Sequence, residues 1–533
     1  MTATPRETGR TRYRFGPLEQ RGLVAGWRGG QVVAVAAGLV VAVLAVRGDP
    51  SPAGLVAAVA AVAVGVAAAT WPIGGRTVEQ WFPLAARWAR ASVTGDRCTT
   101  SGLDGPGHTV AVGPPGEEPS TGAVGAVGAV GAVRRSTGPR LPSTGRPGPF
   151  DLLHLAAVPL GPVGGPVVGV VFDDRARTAT AVLAVRGHSF ALLGPTDQDH
   201  RIGAWSRVLA SLAREGSPVH RLQWIESCLP DHGDAVRTHF EQHAVLGPDT
   251  DASRSYDSLI DEASPTTRRH QVLVALTVHA GRSRRSVRAA GGDGRGPGSG
   301  PGAGLGAVLL REVVSLQRQL ESAEVTVEGV LGPGSLAAVY RDAVSSMDQL
   351  ELRHRSVGGP VDPAPPWPTA VERHWDAVHT DATWHAVFWI AEWPRVDVTP
   401  DFLGPLFFSP VRRTLSVTME PVDPRRAARQ VAQARTADLA DGELRRRGGF
   451  LVTARQVREK EGVEHRDTEL ADGHAQYRLS GYLSVTADTR EELRDGCAAI
   501  EQAAGQARLE LRRLYGEQDV AFSAVLPLGR GLS

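Results

Sequence analysis

The residue types that nucleotide chemistry needs are sparse in this sequence, and lysine is the clearest case. Lys460 is the only lysine in 533 residues, so every other member of the 58 lysines and arginines is an arginine. The phosphate-binding loop GxxxxGK[ST] needs a lysine whose ammonium group reaches the phosphates. Lys460 follows Glu459 in REKEGVE and does not stand in such a loop. The sequence therefore lacks the P-loop of an ATPase.

The histidines do not form a recognisable metal site. His239 and His243 lie four residues apart in HFEQH, but Glu241 is misplaced for the zinc motif HExxH. These two histidines therefore favour a solvated helix face. Three further histidines are spaced 5 and 6 residues apart, which suits no common ligand pattern: His374, His379 and His385.

Serine and cysteine offer no nucleophile in a known arrangement. GxSxG does not occur, and Ser346 and Ser409 have no nearby base in the sequence. The cysteines at 98, 228 and 497 are far apart and form no CxxC pair, which fits a reducing compartment and indicates neither a disulfide framework nor a zinc site. We expect no catalytic, cofactor-binding or metal-binding residue, and we expect that the protein is not an enzyme.

Two sets of residues could serve binding. Five of the 11 tryptophans lie within 27 residues: Trp367, Trp375, Trp384, Trp389 and Trp393. They either line a pocket or, as we favour, pack in a sheet core or at a subunit contact. Residues 445–447 are three arginines, which favour a solvated helix end over a nucleic-acid patch. Because 58 lysines and arginines balance 57 acidic residues, no overall field attracts nucleic acid, and we expect no direct nucleic-acid binding.

Two apolar runs near the N-terminus dominate the organisation of the chain. Residues 32–46 and 53–69 are uninterrupted apolar stretches, and their flanks extend them to predicted membrane spans at 29–46 and 53–71 of a hairpin over 29–73. Being apolar on all sides, they do not resemble surface helices. Two alternatives are a pair of buried helices in a soluble core and a signal peptide, although a processed signal would not be followed at once by a second apolar run.

Arginine placement predicts the orientation of this hairpin. A basic leader at residues 1–28 contains six arginines, and four more follow the second run: Arg76, Arg87, Arg90 and Arg97. The connecting stretch RGDPSP at 47–52 contains Arg47 beside Asp49. By the positive-inside rule both termini are cytoplasmic, and this stretch is the outer turn of a multi-pass protein of the cell membrane. Its two prolines, as helix breakers, favour a corner over an adhesive RGD ligand.

The rest of the chain divides by composition into cytosolic segments. A juxtamembrane helix is predicted at 74–96, and a disordered Gly/Pro/Ser linker with a fourfold GAV repeat at 97–149. A cytosolic α+β domain follows at 150–360, with a flexible glycine-rich loop at 283–304. A second cytosolic α+β part covers 361–533.

The fold class follows from the periodicity of the apolar residues. Strands are predicted at 166–174, 178–187, 189–194, 219–227, 270–280, 324–331, 383–394, 412–424 and 477–488. Helices are predicted at 199–215, 231–263, 305–321, 333–346, 425–447 and 489–514. This mixture predicts an α+β fold, and the order of strands and helices in the last third indicates ferredoxin-like or related α/β sandwich domains joined by glycine-rich linkers.

Two blocks of this sequence have counterparts in conjugation systems. RYRFGPLEQRGLVAGW at 12–27 and WPIGGRTVEQWFPLAARW at 71–88 are similar to the short PrgI-like membrane component of Gram-positive conjugation systems, particularly actinobacterial versions fused to a long cytosolic part. The later block resembles the N-terminal, non-catalytic domain of TraC-type conjugation ATPases. Its residues are VVFDD, RGHSFALLGPTDQDHRIGAWSRVLASLAREGSPVHRLQWIE, FWIAEWPRVDVTPDFLGPLFFSP, RRTLSVTMEPVDPRRA, YRLSGYLSVTADTREEL and AFSAVLPLGRG.

The resemblance implies an integral membrane scaffold of a conjugation or type IV secretion-like apparatus. The partners it implies are a separately encoded P-loop ATPase, other membrane subunits and the lipid bilayer, within an oligomeric assembly. In the ATPases, a segment like PLG at 527–529 leads into the motor domain, which has no counterpart here, so no catalytic residue is carried over. Two alternatives stay open: a type VII secretion membrane subunit and a membrane-anchored enzyme.

Overall fold

In the computed structural model, an N-terminal pair of apolar helices leads into a layered body of sheet and helices. Helices α1 (Gly29–Gly48) and α2 (Pro52–Thr70) form the pair, and α3 (Val78–Thr94) follows. The structure describes residues 29–71, 76–95, 97–100, 148–160, 166–187, 190, 193–230, 234–263, 268–290, 301–344, 366–394, 396, 398–448 and 454–532. The predicted leader at 1–28, most of the predicted linker at 97–149, and residues 291–300 of the predicted loop lie outside the described residues.

The first half of the body supplies six strands and six helices among the described residues. After β1 (Cys98–Thr100), the strands are β2 (Leu153–Pro159), β3 (Val167–Asp173), β4 (Thr178–Arg186), β5 (Val219–Pro230), β6 (Arg268–His279) and β7 (Thr326–Val330). The helices are α4 (Pro195–Leu212), α5 (Asp234–His243), α6 (Asp251–Ala263), α7 (Arg284–Ala289), α8 (Pro301–Ser322) and α9 (Pro333–Val344).

The second half supplies the remaining described elements. Its strands are β8 (Ala370–Arg373), β9 (Val378–Thr380), β10 (Thr383–Glu392), β11 (Arg413–Pro421), β12 (Tyr477–Ala487) and β13 (Glu510–Arg513). Its helices are α10 (Gly404–Phe407), α11 (Pro424–Gly448), α12 (Ala454–Ala471), α13 (Arg490–Gln506) and α14 (Gln518–Val525). Helix α13 starts at a side-chain N-cap, because the Thr489 hydroxyl accepts the Glu492 amide at 3.2 Å.

Within the described residues, both halves belong to one antiparallel sheet of 13 strands. Its order is β1-β8-β9-β10-β12-β11-β5-β6-β4-β3-β2, with β13 paired to β10 and β7 paired to β4. The halves join where β11 pairs with β5, from Arg413 opposite Cys228 to Met419 opposite Leu222. We call this junction the seam. The α+β class predicted from the sequence is confirmed, and the predicted boundary at 360/361 falls between α9 and β8 on one continuous sheet.

The two halves repeat one topology. Each contains a strand, helix, strand, strand, helix, strand unit, formed by β4-α4-β5-β6-α8-β7 in the first half and by β10-α10-β11-β12-α13-β13 in the second. In each unit the spatial order of the four strands is fourth, first, third, second. Each unit also has a helical pair between its second and third strands, α5–α6 or α11–α12, and a helix after its fourth strand, α9 or α14.

Side chains alternate across the sheet, so its two faces bury different residues. One face packs against α4 and α8 in the first half, in a core cluster that includes Leu183 and Leu309, and against α13 in the second, in a core cluster that includes Val485 and Ile500. The opposite face packs against α9 and α14, with Ile225 of β5 at its centre. Helices therefore cover both faces of each unit.

The segment that follows α14 lies buried across this second face and connects the halves. Nε2 of Gln223 donates to the Leu526 carbonyl at 2.9 Å, and Oε1 of Gln223 accepts the Gly529 amide at 2.8 Å. Arg530 then pairs with Asp173 of β3 at 2.7 Å. Gly529 has a φ of +65°, a left-handed conformation that favours glycine.

Three sequence predictions need revision. The predicted helix at 489–514 is wrong beyond residue 506, because Arg508 adopts a left-handed φ of +58° that reverses the chain, and β13 then pairs with β10. The predicted strand at 189–194 lies largely outside the described residues, and its described members Phe190, Leu193 and Gly194 are not in a strand. The predicted loop at 283–304 contains helix α7 and the start of α8.

Candidate functional site: the apolar hairpin and its junction with the sheet

Helices α1 and α2 have the length and composition of membrane spans. In the described part of the chain, these two helices meet that test, over Gly30–Gly48 and Pro52–Thr70, each of 19 residues. At 1.5 Å per residue each is about 28 Å long, close to the hydrocarbon thickness of a bilayer. Only 11% and 22% of the two segments are buried, whereas a core helix of a soluble protein is mostly buried. The geometry therefore disfavours the alternative of two buried core helices.

The two helices pack through their smallest residues. Gly38 and Gly65 face each other so closely that a Cβ on Gly65 would lie 3.1 Å from the Gly38 Cα. The other buried positions of the pair are also glycine or alanine: Ala42, Gly54, Ala58 and Ala69. Small residues at the contact let two backbones approach, which is how helices associate in lipid.

The large aliphatic side chains of the pair point outward. Their exposed members are Val32, Val33, Leu39, Val40, Val41, Val43, Leu44, Val46, Leu55, Val56, Val59, Val64 and Val66. A contiguous surface of this kind is unfavourable in water, because soluble proteins bury such residues and rarely expose large apolar patches. The arrangement is the reverse of a water-soluble helical pair and fits an apolar surrounding.

The turn between the helices is built from its own polar groups. The Asp49 carboxylate accepts the Ser51 amide at 3.0 Å, and the Ser51 hydroxyl caps α2 by accepting the Ala53 amide at 3.2 Å. Pro52 occupies the first helical turn, where its missing N–H costs nothing. A Cβ on Gly54 would lie 1.7 Å from the Asp49 carbonyl oxygen, so the corner closes only with glycine there. These contacts make RGDPSP a tight corner.

At the other end of the pair, α3 joins the hairpin to the sheet. The Gln31 side chain donates to the Ala69 carbonyl at 2.8 Å and ties the two helix ends together. Glu79 of α3 lies against the start of α1, since a Cβ on Gly30 would sit 2.0 Å from its Oε2. Helix α3 thus contacts the hairpin directly.

The inner face of α3 docks on the second half of the body through tryptophans. Trp81 stacks on Trp375 with ring centroids 5.8 Å apart, and Trp88 meets the same ring edge-on at 5.4 Å. Tyr515 packs against Trp81 at 6.2 Å. Leu84, on the same helix face, is buried. Aromatic pairs of this geometry each contribute roughly 0.5–1.5 kcal/mol beyond burial.

Ion pairs add to this junction. Glu517 accepts Arg76 at 2.9 Å and lies 3.6 Å from Arg87. The Arg87 guanidinium also donates to the Gly516 carbonyl at 3.4 Å. The Arg76 side chain is largely buried, so its pairing contributes more than a surface ion pair would. The hairpin is therefore fixed to the β13–α14 loop and not merely tethered to the body.

The histidines singled out in the sequence do not converge. His239 and His243 are exposed on α5 and stack on each other at 4.2 Å, as expected for a solvated face. The described residues contain no group of three or more histidine, cysteine or acidic side chains able to hold a metal ion. The other three histidines have different surroundings: the rings of His374 and His379 pack against Trp384, while His385 is fully buried.

His385 sits in a network of threonines. Its Nε2 lies 2.7 Å from the Thr380 hydroxyl and 3.0 Å from that of Thr383, and its Nδ1 lies 2.9 Å from that of Thr486. Burial keeps the pKa of His385 well below its usual value, so the ring is neutral and structural. Thr380 and Thr383 also bond the end of α9 through the Val344 carbonyl.

The five clustered tryptophans separate in the structure. Trp375 docks α3, whereas Trp367 is buried between Phe150 and Tyr340 in the core. Trp389 lies 5.6 Å beneath the Arg512 guanidinium on the sheet. They therefore do not line one pocket. Ser346 lies outside the described residues, as do the side chains of Lys460 and of the arginines at 445–447.

A small cavity at the seam was not foreseen from the sequence. It measures about 30 Å³ and lies between α9 and α14, with Ser227 and Thr414 in its floor and Arg412 in its wall. Arg412 is mostly buried, which lowers the pKa of its guanidinium, and it donates to the Asp342 carbonyl at 3.2 Å. Ligand pockets measure several hundred Å³, so this cavity has room for one or two waters only.

Two sets of residues were missed in the sequence, because no motif identifies them: those that join α1 to α2 and those that join α3 to the body. The glycines at 38 and 65 are spaced like any others in an Ala/Gly-rich run, and Trp81 and Trp88 are two turns apart on a helix whose partner lies some 290 residues away. The i, i+7 spacing of these two tryptophans was the available signal for a docking face. The chain matches no protein-family model and no curated protein.

Proposed function

We propose that this protein is an integral membrane scaffold of a conjugation or type IV secretion-like apparatus, which docks a separately encoded P-loop ATPase at the membrane. The observation that carries the proposal is the packing of the hairpin, with Gly38 against Gly65 inside and valines and leucines outside. The resemblance of the hairpin region to PrgI-like components supports the choice of apparatus.

In this proposal both termini are cytoplasmic. Arg76, Arg87, Arg90 and Arg97 lie on the α3 side of the hairpin, and the opposite corner holds Arg47 beside Asp49. The positive-inside rule assigns the α3 side to the cytoplasm. The body then lies on the cytoplasmic side of the membrane, where Trp375 contacts α3 and Glu517 pairs with Arg76.

The body supports a binding role over a catalytic one. Its two repeated units have the strand order of ferredoxin-like folds, which the sequence patterns also indicate. The seam cavity is too small for a substrate, and the TraC-like block resembles the non-catalytic part of its family. A membrane anchor and an ATPase-docking surface on one polypeptide raise the local concentration of the motor at the membrane.

Topology is tested by thiol labelling in intact cells. Cys98 is the control for a thiol on the cytoplasmic side, since it is exposed while Cys228 and Cys497 are buried. Burial and Glu372 raise the pKa of the Cys98 thiol, so labelling is run at mildly alkaline pH. An Asp49→Cys thiol should react with a membrane-impermeant maleimide before lysis, and Cys98 only after lysis. Labelling of both sites only after lysis would contradict a span.

The partner is tested by purifying the tagged full chain in mild detergent and identifying bound proteins by mass spectrometry. A P-loop ATPase should co-purify, and it should be missing from an equally tagged two-span protein of unrelated sequence. Recovery of a type VII motor with small helical substrates would favour the type VII alternative, which shares the layout of two spans and a cytosolic part. Isolation of an intact membrane complex without any ATPase would refute the docking role.

A further inference from the structure

Helix α3 has a second apolar face that the junction with the body does not use. Its inner face is formed by Trp81, Leu84 and Trp88, which pack on the second half of the body. A separate stripe follows the spacing i, i+3, i+7, i+10, i+14. It begins with Glu79 and continues with four apolar residues: Phe82, Ala86, Ala89 and Val93. Residues at this spacing share one side of a helix. The helix is therefore apolar on two sides.

The stripe is open to its surroundings. The exposed fraction is 74% for Phe82 and 88% for Val93, and Ala86 and Ala89 between them are also exposed. Trp71, at the end of α2, is 70% exposed close to the start of α3. An exposed phenylalanine and valine on one helix side mark a contact with something apolar.

Glu79 shows which way the stripe faces. This first member of the stripe lies against the start of α1, where a Cβ on Gly30 would be 2.0 Å from its carboxylate oxygen. The side of α3 that carries Phe82 and Val93 is therefore the side turned toward the hairpin end. Arg90 is exposed beside the stripe, and beyond Glu79 α3 contains no acidic residue.

We propose that this outer face of α3 lies in the headgroup region of an anionic membrane leaflet, with Phe82 and Val93 at the acyl boundary and Arg90 among the lipid phosphates. The inference rests on the proposed membrane insertion of the hairpin, with which the stripe is continuous. Apolar area and basic flanks are the two features by which an amphipathic helix binds an anionic surface.

This placement makes α3 a layer between bilayer and body. Its inner tryptophans pack against the body, and its outer stripe contacts the lipid. The body therefore takes one orientation beneath the membrane and does not rotate about the short connection after α2. A protein that presents a docking surface gains from such orientation, because fewer orientations must be lost when the partner binds.

The test measures the depth of an environment-sensitive fluorophore at three positions of the full chain. Single cysteines replace Val40 in α1, Val93 in the stripe, or Val245 in the body, each in a Cys98→Ser background with Cys228 and Cys497 buried. Val245 is the matched control for Val93, since it is a valine with an exposed fraction of 98%. Each chain is reconstituted in phosphatidylcholine vesicles with or without phosphatidylglycerol and with spin-labelled lipid.

The expected result is strong quenching at 40, quenching and a blue-shifted emission at 93, and neither at 245. Quenching at 93 should be greater with phosphatidylglycerol, and Arg90→Gln should lower the ratio of bound to detached α3 about fivefold in those vesicles, from the attraction of one arginine to an anionic surface. Quenching at 40 with a signal at 93 equal to that at 245 would overturn this inference and leave the proposed function standing. Absence of quenching at 40 would overturn the membrane insertion itself, and with it this inference.

Discussion

Gly65 is the position where the hairpin is most sensitive to a single added carbon. A Cβ there would lie 3.1 Å from the Gly38 Cα and 3.1 Å from the Ala34 carbonyl oxygen. Carbon atoms in contact prefer about 3.5–4.0 Å, so Gly65→Ala must part the helices by roughly 0.4–0.9 Å, and Gly65→Leu by more. Overpacking of this kind costs about 1–3 kcal/mol, which lowers the ratio of paired to separated helices about 5- to 150-fold.

The assay follows separation of the helices in the full chain. Cysteines replace Val33 and Trp71, which are exposed and, in our proposal, near the cytoplasmic ends of α1 and α2. Fluorophores on these cysteines report the distance between the two helix ends by energy transfer in bicelles. A titration with SDS then gives the midpoint at which the pair opens. Gly65→Leu should lower that midpoint strongly and Gly65→Ala partly. Ala60→Leu adds a similar side chain on the exposed side of α2 and should leave it unchanged.

Equal opening midpoints for Gly65→Leu and Ala60→Leu would refute the expected role of this glycine contact. Such a result would mean that the close approach of Gly38 and Gly65 does not hold the pair together. Loss of the pair in Ala60→Leu alone would mean that the exposed aliphatic side of α2, and not the small residues, forms the essential contact. Gly48→Ala serves as a glycine control, because its Cβ would meet no atom within 4 Å.

Three further variants test the body. Burial and two neighbouring arginines lower the pKa of His220 to about 4 from the ordinary 6.5, so folding favours the neutral ring. Its contribution to the free energy of unfolding is therefore complete well above pH 6.5 and falls by up to about 3 kcal/mol toward pH 4. In denaturant titrations His220→Asn should remove that part of the slope; equal slopes would contradict it. Gly529→Ala adds a Cβ 2.0 Å from the Thr277 hydroxyl at a φ of +65° and should cost at least about 2 kcal/mol, against about 1 kcal/mol for Gly216→Ala, whose φ of +73° faces open space. Trp375→Ala removes both ring contacts with α3 and should speed amide exchange in α3 about 5- to 150-fold by mass spectrometry, whereas Trp389→Ala should not.

The hairpin was largely predictable, because its signal is local. Two apolar runs separated by Pro50 and Pro52 predict two helices and a corner without knowledge of any distant residue. The observed helices, Gly29–Gly48 and Pro52–Thr70, agree with the predicted spans within two residues at three of their four ends and exactly at the N-terminus of α1. What composition could not supply is which side of each helix faces the other, since glycine and alanine occur all round α2.

The body was predictable as a set of elements but not as a sheet. Strong alternation made β4, β6 and β12 visible, and the α+β class followed from them. The short strands β8, β9 and β13 have three or four residues each and carry no readable period, so they were missed or taken into a helix. Pairing depends on partners far along the chain: β5 meets β11 across nearly 200 residues, which no local pattern encodes.

The seam explains why the two repeated units form one body. The second strand of each unit would be an open edge if the unit stood alone, and an open edge strand pairs with whatever backbone it meets. Here β5 and β11 pair over seven residues and so close each other's edges. Polar side chains beneath the seam then form hydrogen bonds with groups on both sides of it. Gln223 of β5 donates to the Ser416 hydroxyl of β11 at 2.8 Å while it also holds the segment after α14.

Among the described residues, the contacts of α3 join the hairpin to the second unit. Helix α3 binds the second unit at Trp375, and β1, the strand after it, pairs with β8 at the same edge of the sheet. The first unit is bonded to the second through the seam, and Arg530 after α14 reaches Asp173 of the neighbouring β3. In our proposal, a force applied at the membrane would be carried across hydrogen-bonded strands to the far edge of the sheet. Both units would then keep one orientation relative to the hairpin, as the proposed docking of a motor requires.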